Sequence, residues 1–188
     1  MIASAMKFMS PLAEQFNAEW SRHHLNRPPF GWLLRQDRSL PWVRFHALPE
    51  SRRYSEDEKD RAIILSRANA LGDRLLGPGV SCWIIEAVAG NGAGAGELAL
   101  EWTEENDPDS PVWRVYVRNE TWQSGHYDQL LLSIADDQPN SVIWMARDSG
   151  SIFAPYDGGF DLFALASEEI KQLQSERPEW LSDHPAGL

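Results

Sequence analysis

An unbroken apolar run of strand length, residues 80–89, constrains the fold more than any other feature of the sequence. A half-exposed strand alternates apolar and polar side chains, so a continuous run predicts a central strand covered on both faces. Two later stretches, residues 97–102 and 113–118, do alternate and predict half-exposed strands. The connections between these three strands lack helical periodicity, so we expect an antiparallel meander over about residues 80–118.

Helical periodicity predicts three main helices packed against this sheet. The first begins where Ser10 can cap a helix that opens with proline. The second begins at a capping box formed by Ser55 and Glu58. The third begins where Ser167 can cap a helix whose first turn carries two acidic residues, as the helix dipole favours. The predicted helices lie near residues 10–25, 56–76 and 167–177.

Shorter patterns complete the predicted order of elements. Residues 30–34 and 40–48 are strand-like apolar runs, and residues 126–135 have helical spacing. Three further short strands are predicted at residues 141–146, 151–154 and 160–164. This order belongs to the α+β class with a mainly antiparallel sheet. The 188 residues suit a single domain, in which residues 1–27 are either an integral helix or an N-terminal appendage.

The balance of charge excludes two classes of partner. The chain carries 17 Lys+Arg against 28 Asp+Glu, a net charge of −11. Binding to nucleic acid or to an anionic membrane surface needs a basic face, so neither is expected. No uncharged apolar run approaches the roughly 18 residues of a membrane-spanning helix. Cys82 is the sole cysteine, which rules out an intramolecular disulfide and favours the reducing cytoplasm.

Motifs for catalysis, metals or nucleotides are weak or missing. The glycine-rich residues 90–96 precede a strand-like pattern rather than the helix of a dinucleotide site. The five histidines are scattered, and the neighbours His23 and His24 point about 100° apart on a helix. Cys82 lies in the apolar run, where burial makes a thiol unreactive. The sequence therefore favours a non-catalytic protein, with neither a metal nor a cofactor.

A group of acids, a phenol and glycines, residues 156–161, is the best candidate for a ligand pocket. One interpretation is a tight turn in which Asp157 bonds the backbone and the two glycines take positive φ. The other is a carboxylate pocket completed by an arginine from residues 44–53, as in a small-molecule enzyme or a ligand sensor. The candidate binding residues are Arg44, His46, Arg52, Arg53, Tyr156, Asp157 and Asp161.

Nine tryptophans are the other unusual feature of the composition. Tryptophan is enriched at protein interfaces because its large apolar ring also carries a hydrogen-bond donor. Trp102, Trp122 and Trp144 are candidates for a partner surface. An acidic surface that contains tryptophan predicts a basic protein partner. This non-catalytic binding role is the leading functional hypothesis, and the sequence leaves the oligomeric state open.

Three short segments resemble parts of a known family. They are the R-F strand at residues 43–45, the Y-D-x-x-x-D turn within residues 154–162, and the W-L-S-x-H-P-x-G-L ending at residues 180–188. These motifs are similar to those of a bacterial domain-of-unknown-function family, over about residues 28–188. His46 stands where that family often has an acidic residue. The resemblance implies a bacterial, cytoplasmic α+β protein with no particular activity, and analogy with small acidic proteins extends this to an immunity-like role.

Overall fold

The computed structural model describes residues 9–104, 109–137 and 140–181. These residues contain five α-helices and seven β-strands. The helices are α1 (Pro11–His24), α2 (Gly31–Leu34), α3 (Glu58–Leu75), α4 (Asp128–Ala135) and α5 (Ser167–Glu176). The strands are β1 (Trp42–His46), β2 (Ser81–Ala89), β3 (Glu97–Trp102), β4 (Trp113–Thr121), β5 (Ser141–Ala146), β6 (Ile152–Tyr156) and β7 (Gly159–Phe163). Single turns of 3-10 helix lie at Pro49–Ser51 and Pro178–Trp180.

The seven strands form one antiparallel sheet in the order β1-β7-β6-β5-β2-β4-β3. The apolar run becomes β2, which lies inside the sheet between β5 and β4. Trp83, Ile84 and Ile85 are consecutive and all fully buried. Because neighbouring residues of a strand face opposite sides, this burial requires cover on both faces. The predicted α+β class with a mainly antiparallel sheet is confirmed.

The strand order within residues 80–118 differs from the predicted meander. β2 pairs with β4 along its full length, and β3 pairs with the far side of β4 at the edge of the sheet. Residues 90–96 therefore run back across β4, where Arg114 and Tyr116 donate hydrogen bonds to carbonyl groups of this segment. An apolar strand needs a long neighbour on each side, whereas β3 exposes Glu97 and Glu101 and so suits an edge.

Helices cover both faces of the sheet. The core between the sheet and α3, α4 and α5 contains Ile84, and the core between the sheet and α1 and α2 contains Ile85. The side chains of two successive β2 residues thus point into different cores, as the pleat of a strand requires. The sheet is the middle layer of three.

Apolar contacts attach α1 to the sheet. Ser10 caps the helix, as predicted, by accepting a hydrogen bond from the backbone N–H of Ala13 at 3.2 Å. Phe16 and Trp20 are buried one turn apart, on the predicted apolar stripe. The ring of Phe16 meets Trp83 of β2 edge-on, with 5.5 Å between ring centroids. α1 is therefore part of the core.

An ion pair adds to these contacts. The side chains of Arg147 and Trp83 both donate hydrogen bonds to the carboxylate of Glu19, at 2.8 and 2.7 Å. The bond from Arg147 is the main reason that the pKa of Glu19 falls to about 2. The charged carboxylate thus connects α1 to the turn after β5 as well as to β2.

The segment at residues 30–34 is the helix α2, so its prediction as a strand is wrong. Its first and last residues, Gly31 and Leu34, are buried three positions apart and both face the sheet. A Cβ on Gly31 would lie 3.3 Å from the Cβ of Ala154, so the helix packs closely on β6. Burial at a spacing of three residues suits one helical turn, whereas a strand would alternate.

The cap of α3 is Asp57 instead of the predicted Ser55. Its carboxylate accepts a hydrogen bond from the backbone N–H of Asp60 at 2.8 Å. The carboxylate of Asp60 reaches back to the backbone N–H of Glu56 at 3.1 Å. The pattern is like a capping box two residues further along the chain, except that the carboxylate of Asp60 bonds the residue before the cap instead of the cap itself.

Most of the other local predictions agree with the structure, but α5 begins at Ser167 and the residue before it, Ala166, takes the cap position without a side-chain hydrogen bond. The helix predicted over residues 126–135 is α4, and the strand predicted over residues 141–146 is β5. The helices predicted near residues 10–25 and 167–177 are α1 and α5. The last two predicted strands are β6 and β7, which form a hairpin.

Candidate functional site

A cavity of about 500 Å³ opens on the α2 face of the sheet, over β1, β7 and β6. Its apolar wall includes Trp32 from α2 and Ile143 and Ala154 from the sheet. Its charged wall comes from β1, the segment after β1, and the β6–β7 hairpin. Most of the candidate binding residues predicted from the sequence lie around this cavity, which we call the α2 cavity.

The register of the strands arranges the floor of the α2 cavity. Arg44 of β1 is paired with Asp161 of β7, and Asp161 is paired with Ala154 of β6. These three residues form one row across the sheet, with their side chains on the same face. The floor therefore changes from charged to apolar along the row, and Ile143 of β5 extends its apolar end.

Gly159 allows the next row to close around the cavity. His46, Gly159 and Tyr156 are paired across β1, β7 and β6. A Cβ on Gly159 would lie 2.2 Å from the carbonyl oxygen of Phe45 and 2.9 Å from the hydroxyl of Tyr156, so only glycine fits. The Tyr156 ring lies beside this position and faces the guanidinium of Arg44, whose Cζ is 4.5 Å from the ring centroid.

A buried ion pair holds the floor together. Arg44 donates two hydrogen bonds to the carboxylate of Asp161, at 2.7 and 2.9 Å, and both side chains are 4% exposed. Burial by itself lowers the pKa of Arg44, but the bonds and charge of Asp161 outweigh it and raise the pKa above the ordinary arginine value. Arg35, from the end of α2, makes a longer contact of 3.3 Å to the same carboxylate. The pair fixes the charged end of the floor.

Tyr156 contributes a phenol that stays protonated at neutral pH. Burial is the largest cause that raises its pKa, to about 12. Within the described residues its hydroxyl has no hydrogen-bond partner. It can therefore donate a hydrogen bond to an acceptor in the cavity.

The rim of the cavity is formed by the β6–β7 hairpin and the segment after β1. Asp157 accepts hydrogen bonds from Nε of Arg53 at 2.6 Å and from the hydroxyl of Tyr54 at 3.2 Å. The hydrogen bond with Asp157 raises the pKa of Arg53. Ser51 Oγ lies 3.1 Å from Nε2 of His46. The bonds to Asp157 tie the segment after β1 to the hairpin, and the Ser51 contact ties it to the end of β1.

The tight-turn interpretation of residues 156–161 is correct about the turn but wrong about its bonding. Asp157 and Gly158 form the two-residue connection of a hairpin. The carboxylate of Asp157 bonds the side chains of Arg53 and Tyr54 rather than the backbone. Neither Gly158 nor Gly159 is at positive φ. Glycine is required at position 159 by the close approach of β1, and this approach could not be read from the sequence.

The structure brings together six of the seven predicted binding residues, and Arg52 is the exception. The six around the cavity are Arg44, His46, Arg53, Tyr156, Asp157 and Asp161. Arg52 turns away and donates two hydrogen bonds to Asp60 of α3, at 2.6 and 2.7 Å. These bonds are the main cause of a pKa of about 2 for Asp60.

Sequence reasoning missed the contribution of α2 to the cavity. Trp32 and Arg35 both line it, but they lie in and after a segment that was predicted to be a strand. Four-residue helices have too little periodicity to be recognised from sequence. The proline pair at residues 28–29, which favours a helix start just after it, is the one available signal.

The predicted tryptophan surface is not present as expected. Trp122 and Trp144 are both fully buried, between the sheet and α3 and α4, so neither contributes to a surface. Trp144 is buried because it lies on β5, an inner strand of the sheet. Trp122 is buried because its ring packs against those of Trp144 and Tyr127. Trp102 is partly exposed and its ring lies 4.9 Å from that of Phe30.

The chemistry of the α2 cavity favours an anion. Three guanidinium groups, those of Arg35, Arg44 and Arg53, face the two carboxylates of Asp157 and Asp161. The cavity therefore has an excess of positive charge in a chain of net charge −11. Among the described residues there is no cluster of three or more His, Cys, Asp or Glu side chains that could hold a metal ion.

Comparison with protein families identifies the family of the chain. The model of a domain of unknown function, DUF3885, matches residues 30–185. The chain belongs to the DUF3885 family. The matched range contains the whole α2 cavity of this DUF3885 protein, from Gly31 to Asp161, and leaves out α1.

Other comparisons place no further constraint on the DUF3885 protein. No curated protein and no solved structure matches the chain. Of the helices in the described residues, none combines the length and hydropathy of a bilayer-spanning segment. Most of the ending that resembles the family, residues 182–188, lies outside the described residues.

Proposed function

We propose that this DUF3885 protein binds a small anionic molecule in the α2 cavity, as a ligand sensor would. The observation that carries this proposal is the convergence of Arg35, Arg44, Arg53 and Tyr156 on one cavity with an apolar wall. Ligand sites of about 300–1,000 Å³ commonly combine an apolar lining with a few converging polar groups. The volume of about 500 Å³ lies in this range.

Charge supports an anionic ligand. Each of the two carboxylates at the cavity already accepts hydrogen bonds from an arginine. A cationic ligand would compete with these intact ion pairs, whereas an anion can use guanidinium and phenol donors that the protein leaves partly unused. These features support binding of a ligand, and a ligand sensor needs no more than binding.

The test is a ligand screen with one cavity-filling variant. Ser141 lines the cavity and is half-buried, so Ser141→Trp places a large ring in the ligand volume. Ser175→Trp adds the same ring on the exposed face of α5 and is the matched control. We expect anionic compounds to raise the Tm of the wild type and of Ser175→Trp, but not that of Ser141→Trp. Equal shifts in all three proteins, or none in any, would refute the proposal.

A basic protein partner is the second candidate function. Its support is the net charge of −11 and the partial exposure of Trp102, one of the three tryptophans predicted for a partner surface. An immunity-like role would be a special case of it. A pull-down from lysate at low and raised salt tests this candidate, because a partner held by charge is lost as salt rises. Retention of the same proteins at both salt concentrations would contradict it.

We also propose that the protein is cytoplasmic and bacterial. The sole cysteine, Cys82, is fully buried, and burial raises the pKa of its thiol to about 12. The absence of a disulfide is typical of proteins in a reducing compartment. Fractionation of cells that express the tagged chain from its own promoter tests the location.

A further inference from the structure

We propose that the ligand of the α2 cavity is a carboxylate attached to a flat apolar group, and that Arg35 binds the carboxylate. This inference rests on the function proposed above, since it names the class of ligand.

The guanidinium group of Arg35 is the one at the cavity that can turn from the protein to a ligand. Its one hydrogen bond within the described residues is the 3.3 Å contact to Oδ2 of Asp161. That oxygen already accepts a shorter bond, 2.9 Å, from Arg44. The side chain of Arg35 is 31% exposed, against 4% for Arg44. Asp161 would therefore keep both of its bonds to Arg44 if Arg35 turned toward a ligand.

The geometry of a guanidinium group selects a carboxylate. Its planar fork of N–H donors matches the two oxygens of a carboxylate in a bidentate pair. Arg53 is less suited to this role because Asp157 already occupies its Nε, and because its side chain is 60% exposed at the rim. Arg35 approaches the cavity from the end of α2 and lines it at the charged end of the floor, beside Asp161.

The apolar wall selects a flat group next to the carboxylate. Trp32 is three residues before Arg35, which directly follows α2 and keeps helical backbone angles, so the two side chains lie on one side of the helix. Phe30 and Trp113 hold the ring of Trp32 in place, with centroid distances of 4.7 and 5.1 Å. Ala154 lies on the floor and adds a small apolar surface. A planar ring fits between an indole and such a floor.

The total charge of the site distinguishes a carboxylate from a phosphate. Three arginines against two aspartates leave an excess of one positive charge. One carboxylate neutralises this excess, whereas a phosphate monoester, with a charge near −2 at neutral pH, would leave a net negative site beside Asp157 and Asp161. The site therefore matches a monoanion.

The experiment uses three probes with the same ring and different head groups, namely 2-naphthoate, 2-naphthamide and 2-naphthyl phosphate. Isothermal titration measures their Kd for the wild type and three variants. Arg35→Gln removes the charge, Arg35→Lys keeps the charge without the fork, and Arg38→Gln changes an exposed arginine outside the cavity. Circular dichroism confirms that each variant is folded.

We expect the wild type and Arg38→Gln to bind the carboxylate roughly tenfold or more tightly than the amide or the phosphate. In Arg35→Gln this preference should disappear, and in Arg35→Lys it should be partly lost. If the wild type binds the carboxylate and the amide with equal affinity, the assignment of a carboxylate ligand is wrong. If it prefers the phosphate, the inference that the ligand carries a single negative charge is wrong. An unchanged preference in Arg35→Gln would overturn the role of Arg35.

Failure of the proposed function itself gives a different pattern. If the α2 cavity is not a ligand site, any probe that binds the wild type binds Ser141→Trp equally well, and no anionic compound of the screen gives a Tm shift that Ser141→Trp removes. Such a result would overturn both proposals. If the amide and the phosphate bind the wild type and Ser141→Trp abolishes this binding, the proposed function holds and only the assignment of a carboxylate ligand is wrong.

Discussion

His24 shows how one residue can make the stability of the fold depend on pH. Its side chain is fully buried at the end of α1, and Nε2 lies 2.8 Å from the carbonyl oxygen of Gly150. Because a carbonyl can only accept, Nε2 carries the proton and Nδ1 does not. Nδ1 has no hydrogen-bond partner within the described residues. Burial is the main cause that lowers the pKa of His24 from 6.5 to about 4.

We expect acid to destabilise the protein through His24. The pKa of His24 is lower in the folded state than in the unfolded chain, so the unfolded chain takes up the proton first as the pH falls. The contribution of neutral His24 to the free energy of unfolding is therefore complete only above about pH 6.5. Between pH 7 and pH 5 the free energy of unfolding should fall by about 2 kcal/mol from this group. Urea unfolding at the two pH values measures the loss.

His24→Gln isolates this contribution, because an amide can still donate to Gly150 but does not titrate. The difference between the two pH values should shrink by most of the 2 kcal/mol, an order-of-magnitude figure. His23→Gln is the matched control at the neighbouring, partly exposed position. If His24→Gln and the wild type lose the same stability, burial of a neutral His24 is not the cause.

The candidate site was predictable residue by residue only in part. Tyr156, Asp157 and Asp161 stand close together in the sequence, and their residue types suggested polar chemistry. Arg44 was one of several arginines predicted to pair with these carboxylates, and the sequence does not distinguish among them. The choice is made by register, since pairing of β1 with β7 sets Arg44 opposite Asp161.

At the scale of elements, the start of α3 shows why capping is ambiguous in sequence. Ser55 and Glu58 have the spacing of a capping box, and so do Asp57 and Asp60. The second pair is used. Arg52 binds the carboxylate of Asp60 with two hydrogen bonds and holds the second pair in place. A contact outside the helix thus decides between two local patterns.

The two candidate caps can be compared directly. We expect Asp57→Ala to lower the free energy of unfolding by about 1 kcal/mol, because the backbone N–H of Asp60 loses its acceptor. Ser55→Ala should change it by no more than about 0.5 kcal/mol, as is usual for surface changes without a specific contact. Urea unfolding measures both variants. A larger loss in Ser55→Ala would restore the cap predicted from the sequence.

At the scale of the whole molecule, both faces of the sheet must be covered for β2 to be stable. The family match begins at residue 30, yet α1 supplies much of the cover on one face. Phe16 is fully buried and its ring meets Trp83 of β2. α1 therefore belongs to the folded core of this chain, although it precedes the matched segment.

Single substitutions in α1 test this conclusion. We expect Phe16→Ala to lower the free energy of unfolding by about 3–5 kcal/mol, the range for removing a fully buried phenylalanine. Gln15→Ala, on the exposed side of the same helix, should stay within about 0.5 kcal/mol of the wild type. Thermal and urea unfolding measure both. Similar, small effects of the two changes would show that α1 is not needed for the fold.

The sequence by itself determined the class of fold and most of the elements. Periodicity is a local property, so the helices α1 and α5 and the strand β5 could be read from the order of apolar residues. The apolar run of β2 also predicted cover on both faces, because a buried strand tolerates few polar groups. These conclusions need no knowledge of which segments meet.

Tertiary structure alone decided which elements are neighbours and where the cavity lies. Residues 90–96 carry β3 past β4 instead of next to β2, and no local pattern in that segment specifies the crossing. Arg35 and Trp32 reach the site because α2 packs on β6, a contact between residues more than a hundred positions apart. Pairing and packing depend on the free energy of the whole arrangement, which is why the site emerged only with the fold.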